Sequence, residues 1–284
     1  MRRAILKAFP DLAGEAFSLA GKGWHSLAVD VGGRLIFKFP EGEKAEAALR
    51  REAGLLAAVA PHVTLPIPKM SLHDGPVLFS RHEKLQGETL DKAAYHGLNV
   101  DQKEQISDKI ALLLISLHNI PDEIMTHAGA QPVEWWDTAD ETLAPIWPLL
   151  PPSVAAGGRA AIEAYRALGP DPLGERFGFF DAHGWNMAFD HRAGTLNGMF
   201  DFADSGFGPV HREFAPLSLI APELAAQTAM AYETLSGRTL DRRRIFLLTA
   251  AMRLSEFAGA LEMNGEVEWT RDLVIEWFTQ RAVR

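Results

Sequence analysis

Cysteine is absent from this chain of 284 residues. Without thiols it can form no disulfide framework, carries no cysteine nucleophile and has no Cys-ligated zinc site. Long hydrophobic runs are also lacking. The most apolar stretch, residues 110–117, is far shorter than the ~20 residues that a membrane-spanning helix needs. The first seventeen residues contain two arginines but no continuous apolar segment of the kind found in secretory signals. We therefore expect a cytoplasmic protein with no membrane partner.

Positive charge is also scarce. The chain has 28 basic and 37 acidic residues, which gives a formal net charge of −9. A basic surface favours binding to nucleic acid or to anionic membranes, so neither partner is expected here. The acidic balance mildly favours a cationic small molecule. Hydrophobic residues at 47% and charged residues at 23% are typical of globular proteins, and the length allows one large domain or two lobes.

Three polar residues stand out within residues 177–209. Asp181 is followed five residues later by Asn186, and Asp201 comes at the end of a second apolar strand. Alternating apolar residues predict two short strands joined by a turn over residues 191–194, which would bring the three side chains to one end of a hairpin. Two carboxylates and one amide there suit Mg²⁺ and a hydroxyl that must lose a proton. The alternative is a polar hairpin with ordinary turn residues.

The D-x-x-x-x-N spacing followed by Asp-Phe is that of a kinase catalytic loop and its metal-binding aspartate. The stretch resembles the aminoglycoside phosphotransferase family, a branch of the protein-kinase-like fold whose pattern is H-G-D-x-H-x-x-N and then I-D-[FW]. This chain reads FFDAHGWN and then FDF. Phe179 and Phe180 replace the first His and the Gly of the pattern. The positions in register are Asp181, His183, Asn186 and Asp201.

The resemblance implies an α+β, protein-kinase-like fold with two lobes. Residues 1–84 would form a nucleotide-binding lobe with a small antiparallel sheet and one helix, and residues 85–284 a mainly helical catalytic and substrate-binding lobe. The implied reaction is Mg²⁺-dependent transfer of the γ-phosphate of ATP or GTP to a hydroxyl of a small molecule. Members of the family phosphorylate aminoglycosides and other acceptors, so a cationic or sugar-like acceptor is expected. Asp181 would be the catalytic base, and Asn186 and Asp201 would bind the metal.

A lysine interrupts the apolar strand predicted over residues 34–39. Lys38 needs a partner if it is buried, because an unpaired buried ammonium group is costly. The helix-forming segment at 41–60 carries Glu52, and a strand lysine paired with a helix glutamate holds nucleotide phosphates in kinases. Glu46 is the alternative partner, and an edge strand with Lys38 in solvent is the alternative structure. Two further strands are predicted over residues 63–68 and 76–81, which would complete a five-stranded lobe.

Two other segments are candidates for contact with the nucleotide. Gly21 and Gly23, in the loop before the second strand, would let backbone N–H groups approach phosphates closely, although a plain hairpin also uses such glycines. Residues 82–87 are predicted to connect the lobes. In the family this connector contacts the nucleotide base, which points to Glu83 and Leu85.

Four residues are candidate substrate contacts: Trp136, Asp204, Glu213 and Glu256. Residues 124–153 combine tryptophans with acids, and this pattern predicts either a wall for a cationic or glycosidic ligand or, slightly favoured, a helix pair with packed tryptophans. The segment at 211–215 takes the place of a family motif in which the position of Glu213 is mainly structural. Glu256 falls on a helix predicted over residues 243–261, where a solvated surface acid is the commoner outcome.

A different class of function is also compatible with the sequence. The chain could be a pseudokinase, which keeps the fold and binds a ligand without turnover, and the replacement of His and Gly by Phe179 and Phe180 is the main support for this. A protein kinase is disfavoured because no A-P-E segment follows Asp201.

Overall fold

A computed structural model shows how the chain folds, and the residues described are 1–22, 26–263 and 265–279. Helix α1 (Arg2–Ala8) leads into a five-stranded antiparallel sheet with the order β1-β2-β3-β5-β4, and α2 (Glu43–Val59) lies between β3 and β4. The strands β1 to β5 span Phe17–Lys22, Ser26–Val31, Leu35–Pro40, Ser71–His73 and Phe79–Glu83.

The third strand positions the lysine singled out above. Its alternating residues Leu35, Phe37 and Phe39 are buried in a small core against α1 and the neighbouring strands. Lys38 lies on the opposite face, in register with Ala28 on β2 and Ser80 on β5. Because β3 has strands on both sides, the alternative of an edge strand with Lys38 in solvent is wrong.

One predicted strand does not form. Residues 63–68 are irregular in the structure, and β4 lies further along the chain. Pro66 and Pro68 cannot donate ladder hydrogen bonds, which disfavours a strand there. The carbonyl of Pro66 instead accepts from the N–H of Met199, at 3.1 Å.

The rest of the chain is mainly helical. Two short antiparallel pairs, β6 with β9 and β7 with β8, lie among the helices; β6 to β9 span Glu175–Gly178, Met187–Asp190, Thr195–Met199 and Gly206–Pro209. The helices α3 to α10 span Lys92–Gly97, Val100–His118, Asp122–His127, Asp140–Leu143, Pro152–Arg166, Pro222–Ser236, Arg242–Glu262 and Val267–Thr279. Among the described residues, no helix has both the length and the apolarity to cross a membrane.

Helices α4 and α8 pack together over a large apolar core that also takes in the strand pairs. A capping box at Asn99 and Gln102 fixes the start of α4. The α+β architecture, with a small antiparallel sheet followed by a mainly helical region, is as predicted. The division between residues 84 and 85 stays a prediction, and β5 ends at Glu83.

The tryptophan-rich segment differs from the favoured expectation of a helix pair. Residues 130–139 form neither helix nor strand, between α5 and α6. They run beside β9, since the N–H of Val133 donates to the carbonyl of Phe207, and the N–H of Phe207 donates to that of Gln131. Gly129, at φ 95°, and Pro132 both disfavour continuation of a helix.

Candidate active site

The loop that carries Asp181 is held by a buried carboxylate. Glu213 accepts from the N–H groups of Phe179, at 2.8 Å, and Phe180, at 2.7 Å. Phe180 has φ 59°, a conformation that costs a bulky L-residue roughly 1–2 kcal/mol. A side chain at Gly178 would collide with Glu213, because an added Cβ would lie 1.9 Å from Oε1. The bend that the family pattern obtains with Gly is therefore made here by a Phe that Glu213 holds in place.

Glu213 does not fit its predicted role as a substrate contact. Its side chain is fully buried, and its oxygens bind the loop backbone and lie 3.3 Å from Nε2 of His118. His118 in turn lies 2.9 Å from the hydroxyl of Tyr232 through Nδ1. Glu213 and His118 thus belong to a buried network that supports the loop from behind.

Asp181, His183 and Asn186 form a compact polar group. Nδ2 of Asn186 donates to Oδ2 of Asp181 at 2.6 Å and to its carbonyl at 3.1 Å. Nε2 of His183 lies 3.2 Å from Oδ1 of Asp181. Burial alone lowers the pKa of His183, but the adjacent Asp181 carboxylate outweighs it and raises that pKa above its ordinary value. The Asp181 side chain remains 27% exposed and open to a substrate.

Lys38 bridges the two carboxylates expected of a nucleotide site. Its Nζ lies 2.8 and 3.0 Å from the two oxygens of Glu52 and 2.9 Å from Oδ1 of Asp201. Burial lowers the pKa of Lys38, but the charges of Glu52 and Asp201 outweigh it and hold that pKa above its usual value. The ammonium group therefore stays charged at neutral pH. Its partner on α2 is Glu52, and the alternative Glu46 is wrong.

Asp201 has a carboxylate that a cation can reach. Its backbone is left-handed, at φ 68°, and its side chain is 44% exposed. Asn186 uses its amide nitrogen on Asp181, which leaves its carbonyl oxygen as a second ligand. Among the described residues, no group of three or more His, Asp or Glu side chains could hold a metal alone. One carboxylate and one amide oxygen nevertheless fit Mg²⁺, which completes its shell with water and phosphate oxygens.

Two cavities lie beside the loop that carries Asp181 and Asn186. The first, which we call the sheet-side cavity, has a volume of about 720 Å³, and its lining includes Gly21, Lys38, Leu85, Asn186 and Asp201. Glu52 lies behind Lys38, and Glu83, although predicted to contact the nucleotide, does not line this cavity. Gly23 lies outside the described residues.

The second cavity, which we call the helix-side cavity, has a volume of about 680 Å³. Its lining includes four acids and two arginines, together with Trp135 and Trp136. The acids are Glu134, Asp137, Asp181 and Asp204, and the arginines are Arg51 and Arg212. Sequence reasoning missed both arginines. Their only sequence signal is position: Arg212 precedes Glu213 in the family motif, and Arg51 precedes Glu52.

Glu256 lies on α9, and the charges of His183 and Asp181 both act on it. Burial raises the pKa of Glu256 to about 7 from an ordinary 4.5, against the opposing effect of Arg253. It is partly buried, and the helix-side cavity is lined by its neighbour Ser255 instead. The structure thus places Glu256 near Asp181 and His183 without placing it in either cavity lining.

Replacing Glu256 with Gln should stabilise the protein at alkaline pH. The native state holds the Glu256 proton up to about pH 7, whereas the unfolded chain releases it near 4.5, so wild-type stability falls as pH rises through that window. The variant has no such pH-dependent loss, so by pH 8 its free energy of unfolding should exceed that of wild type by up to roughly 3 kcal/mol. Urea unfolding at pH 4.5 and pH 8 measures this, with Glu262→Gln on the same helix as control. An equal difference at both pH values would contradict it.

Comparison with known proteins shows which family this chain belongs to. The profile of the phosphotransferase enzyme family (APH) matches residues 17–246, and the chain belongs to this family. Sequence comparison finds no significant match among curated proteins. The predictions of the family and of a small-molecule phosphotransferase are therefore confirmed.

Solved structures agree on the fold. The chain is similar to the GDP complex of wild-type aminoglycoside 2'-phosphotransferase-IIIa, with 20% identity, 98% of this chain and 97% of that chain covered, and a TM-score of 0.79. The GDP and kanamycin complex of APH(2")-IIia is 19% identical, with 97% and 96% covered and a TM-score of 0.77. Macrolide 2'-phosphotransferase type I is 15% identical, with 97% and 96% covered and a TM-score of 0.63. The predicted kinase-like fold is confirmed.

Proposed function

We propose that this protein transfers the γ-phosphate of ATP or GTP, bound with Mg²⁺ in the sheet-side cavity, to a hydroxyl of a small molecule in the helix-side cavity. One observation carries the proposal. Asp181 lines the helix-side cavity, while Asn186 and Asp201 line the sheet-side cavity, and Asn186 is hydrogen-bonded to Asp181. In this proposal the base for the acceptor faces one cavity, and the ligands for a metal–nucleotide complex face the other. Membership of a phosphotransferase family supports the same reaction.

Phosphoryl transfer depends mainly on positioning and on neutralisation of charge. Lys38, held by Glu52, would bind the nucleotide phosphates, and the backbone at Gly21 and Leu85 would contact the nucleotide. Asn186 and Asp201 would hold Mg²⁺, which when bound neutralises phosphate oxygens. Asp181 would orient the acceptor hydroxyl and accept its proton. In this proposal the sheet and α2, up to about residue 84, form the nucleotide lobe.

The acceptor would contact Trp136 and Asp204, which line the helix-side cavity. The predicted acceptors were an aminoglycoside or another cationic or sugar-like molecule, and a structure similar to this chain contains kanamycin. The four acids of the cavity suit amino or hydroxyl groups. The two arginines indicate that the acceptor is not uniformly cationic.

The alternative of a pseudokinase without turnover has less support than before. It depended on Phe179 and Phe180 in place of a supporting His and a flexible Gly. In the structure Glu213 binds both backbone N–H groups, and Asp181 still faces the helix-side cavity. The presence of Phe at these two positions therefore leaves the loop folded so that Asp181 lines the helix-side cavity.

Calorimetric titration with ATP and with GTP, each with and without Mg²⁺, tests the proposal. We expect binding that requires Mg²⁺ and that Asp201→Ala weakens by about tenfold or more. Asp204→Ala is the matched control, because Asp204 follows on the same loop but lines the other cavity. Failure of wild-type protein to bind either nucleotide would overturn the proposal.

A further inference from the structure

Arg212 is a buried cation whose hydrogen bonds are incomplete. It is 7% exposed and lines the helix-side cavity, on the short 3-10 helix Val210–Phe214. Its Nε and Nη1 atoms have no hydrogen-bond partner among the described residues. Burial lowers the pKa of Arg212 to about 10, which still leaves the guanidinium charged at neutral pH. Buried donors of a charged group are costly when they stay unpaired, so their retention in a cavity wall calls for a ligand.

The aromatic rings of the cavity hold this guanidinium in place. Its carbon lies 4.3 Å from the ring centre of Trp136, 5.3 Å from that of Trp135 and 5.8 Å from that of Phe180. Cation–π contacts orient the planar group but satisfy none of its N–H donors. The same contacts give the tryptophans a cation from the protein itself. The aromatic wall that the sequence suggested for a cationic ligand is therefore already engaged by Arg212.

We infer that the acceptor carries a carboxylate, which Arg212 binds in the helix-side cavity while a hydroxyl of the same molecule faces Asp181. Arginine presents planar pairs of N–H donors that match the two oxygens of a carboxylate. This inference rests on the proposed function and names its substrate class.

The charges of the cavity favour a single negative charge over a phosphate dianion. Four acids line the same cavity and would repel a second negative charge, and Asp204 and Glu213 already act on Arg212. A carboxylate offers acceptor oxygens to the unpaired guanidinium with one negative charge. The acids leave room for a hydroxylated acceptor that also carries an amine.

The Nε–Hε NMR resonance of Arg212, identified by its loss in Arg212→Gln, provides a direct test. Protein labelled with ¹⁵N-arginine and saturated with Mg–ADP would be titrated with acetate and acetamide, a charged and a neutral probe small enough to reach Arg212. Larger matched pairs, gluconate with sorbitol and glycerate with glycerol, follow. We expect saturable shifts with the carboxylates, and affinity for acetate about tenfold or more above that for acetamide. Arg159 is the internal control, since it lies 4.6 Å over Trp147 but is exposed; its resonance should show no such selectivity.

Turnover gives the second readout. With ATP or GTP, carboxylate acceptors should show kcat/KM about tenfold or more above their neutral partners, and Arg212→Gln should abolish that ratio. Three results would overturn the inference: no acetate-selective shift at Arg212, a shift produced only by a Mg-bound non-hydrolysable triphosphate, or preferred phosphorylation of kanamycin or neutral compounds independent of Arg212. Each of these leaves the proposed function standing, whereas absence of Mg-dependent nucleotide binding removes the function itself.

Discussion

Replacement of Asp181 with Asn should lower turnover by a factor of about 10²–10⁴, the usual contribution of a general base. An amide cannot accept the hydroxyl proton at neutral pH. Its carbonyl oxygen can still accept the hydrogen bond from Asn186, which spans 2.6 Å in the wild-type protein, so the loop should keep its shape. Nucleotide affinity should not change, because Asp181 faces the helix-side cavity.

This prediction needs two measurements on the same preparation. Mass spectrometry of the phosphorylated acceptor gives the rate, and calorimetry gives the nucleotide affinity. Asp272→Asn is a matched control on α10, where the side chain is 67% exposed and away from both cavities. Activity of the Asp181 variant near that of the control would show that another group takes the proton.

Replacement of Lys38 with Met should abolish measurable turnover and destabilise the protein by about 3–5 kcal/mol. The chemical loss follows from removal of the cation proposed to hold the phosphates. The loss of stability has a separate cause: Glu52 is 2% exposed and would keep a buried charge without its partner. Urea unfolding measures the second effect independently of any substrate.

The double variant Lys38→Met, Glu52→Leu separates these two effects. Replacement of both members by apolar residues removes the unpaired charge, so most of the stability should return while turnover stays absent. Arg50→Met on α2 serves as the stability control, because the side chains of Arg50 and of its ion-pair partner Asp74 are both exposed and such surface pairs contribute little. Equal instability of the single and double variants would contradict the assigned cause.

The loop residues could be predicted from sequence because their spacing is local. Asp181, Asn186 and Asp201 fall within 21 positions of one another, and a short hairpin brings them together with few alternatives. Lys38 and Glu52 could also be predicted, since an isolated lysine in an apolar strand predicts a buried partner nearby in the chain. The family resemblance then gave these positions their order and their expected roles.

Arg212 could not be predicted in the same way. Its aromatic neighbours Trp135 and Trp136 are more than 70 residues away in sequence, and hydrogen bonds to β9 hold the path of their segment. The strand expected over residues 63–68 failed for a different, local reason: its apolar residues alternate, but two prolines remove the donors that pairing requires. The error at Arg212 concerns long-range contacts that periodicity does not report.

The separation of the two cavities also bears on kinetic order. Among the described residues the two linings have no member in common, so in the proposed reaction each substrate has its own approach and neither one needs to enter first. Such an arrangement leads to a ternary complex reached by either route, and it allows the phosphorylated product to leave while the nucleoside diphosphate is still bound. The loop from Asp181 to Asn186 would then separate the two substrates, and only the phosphoryl group would move from one to the other.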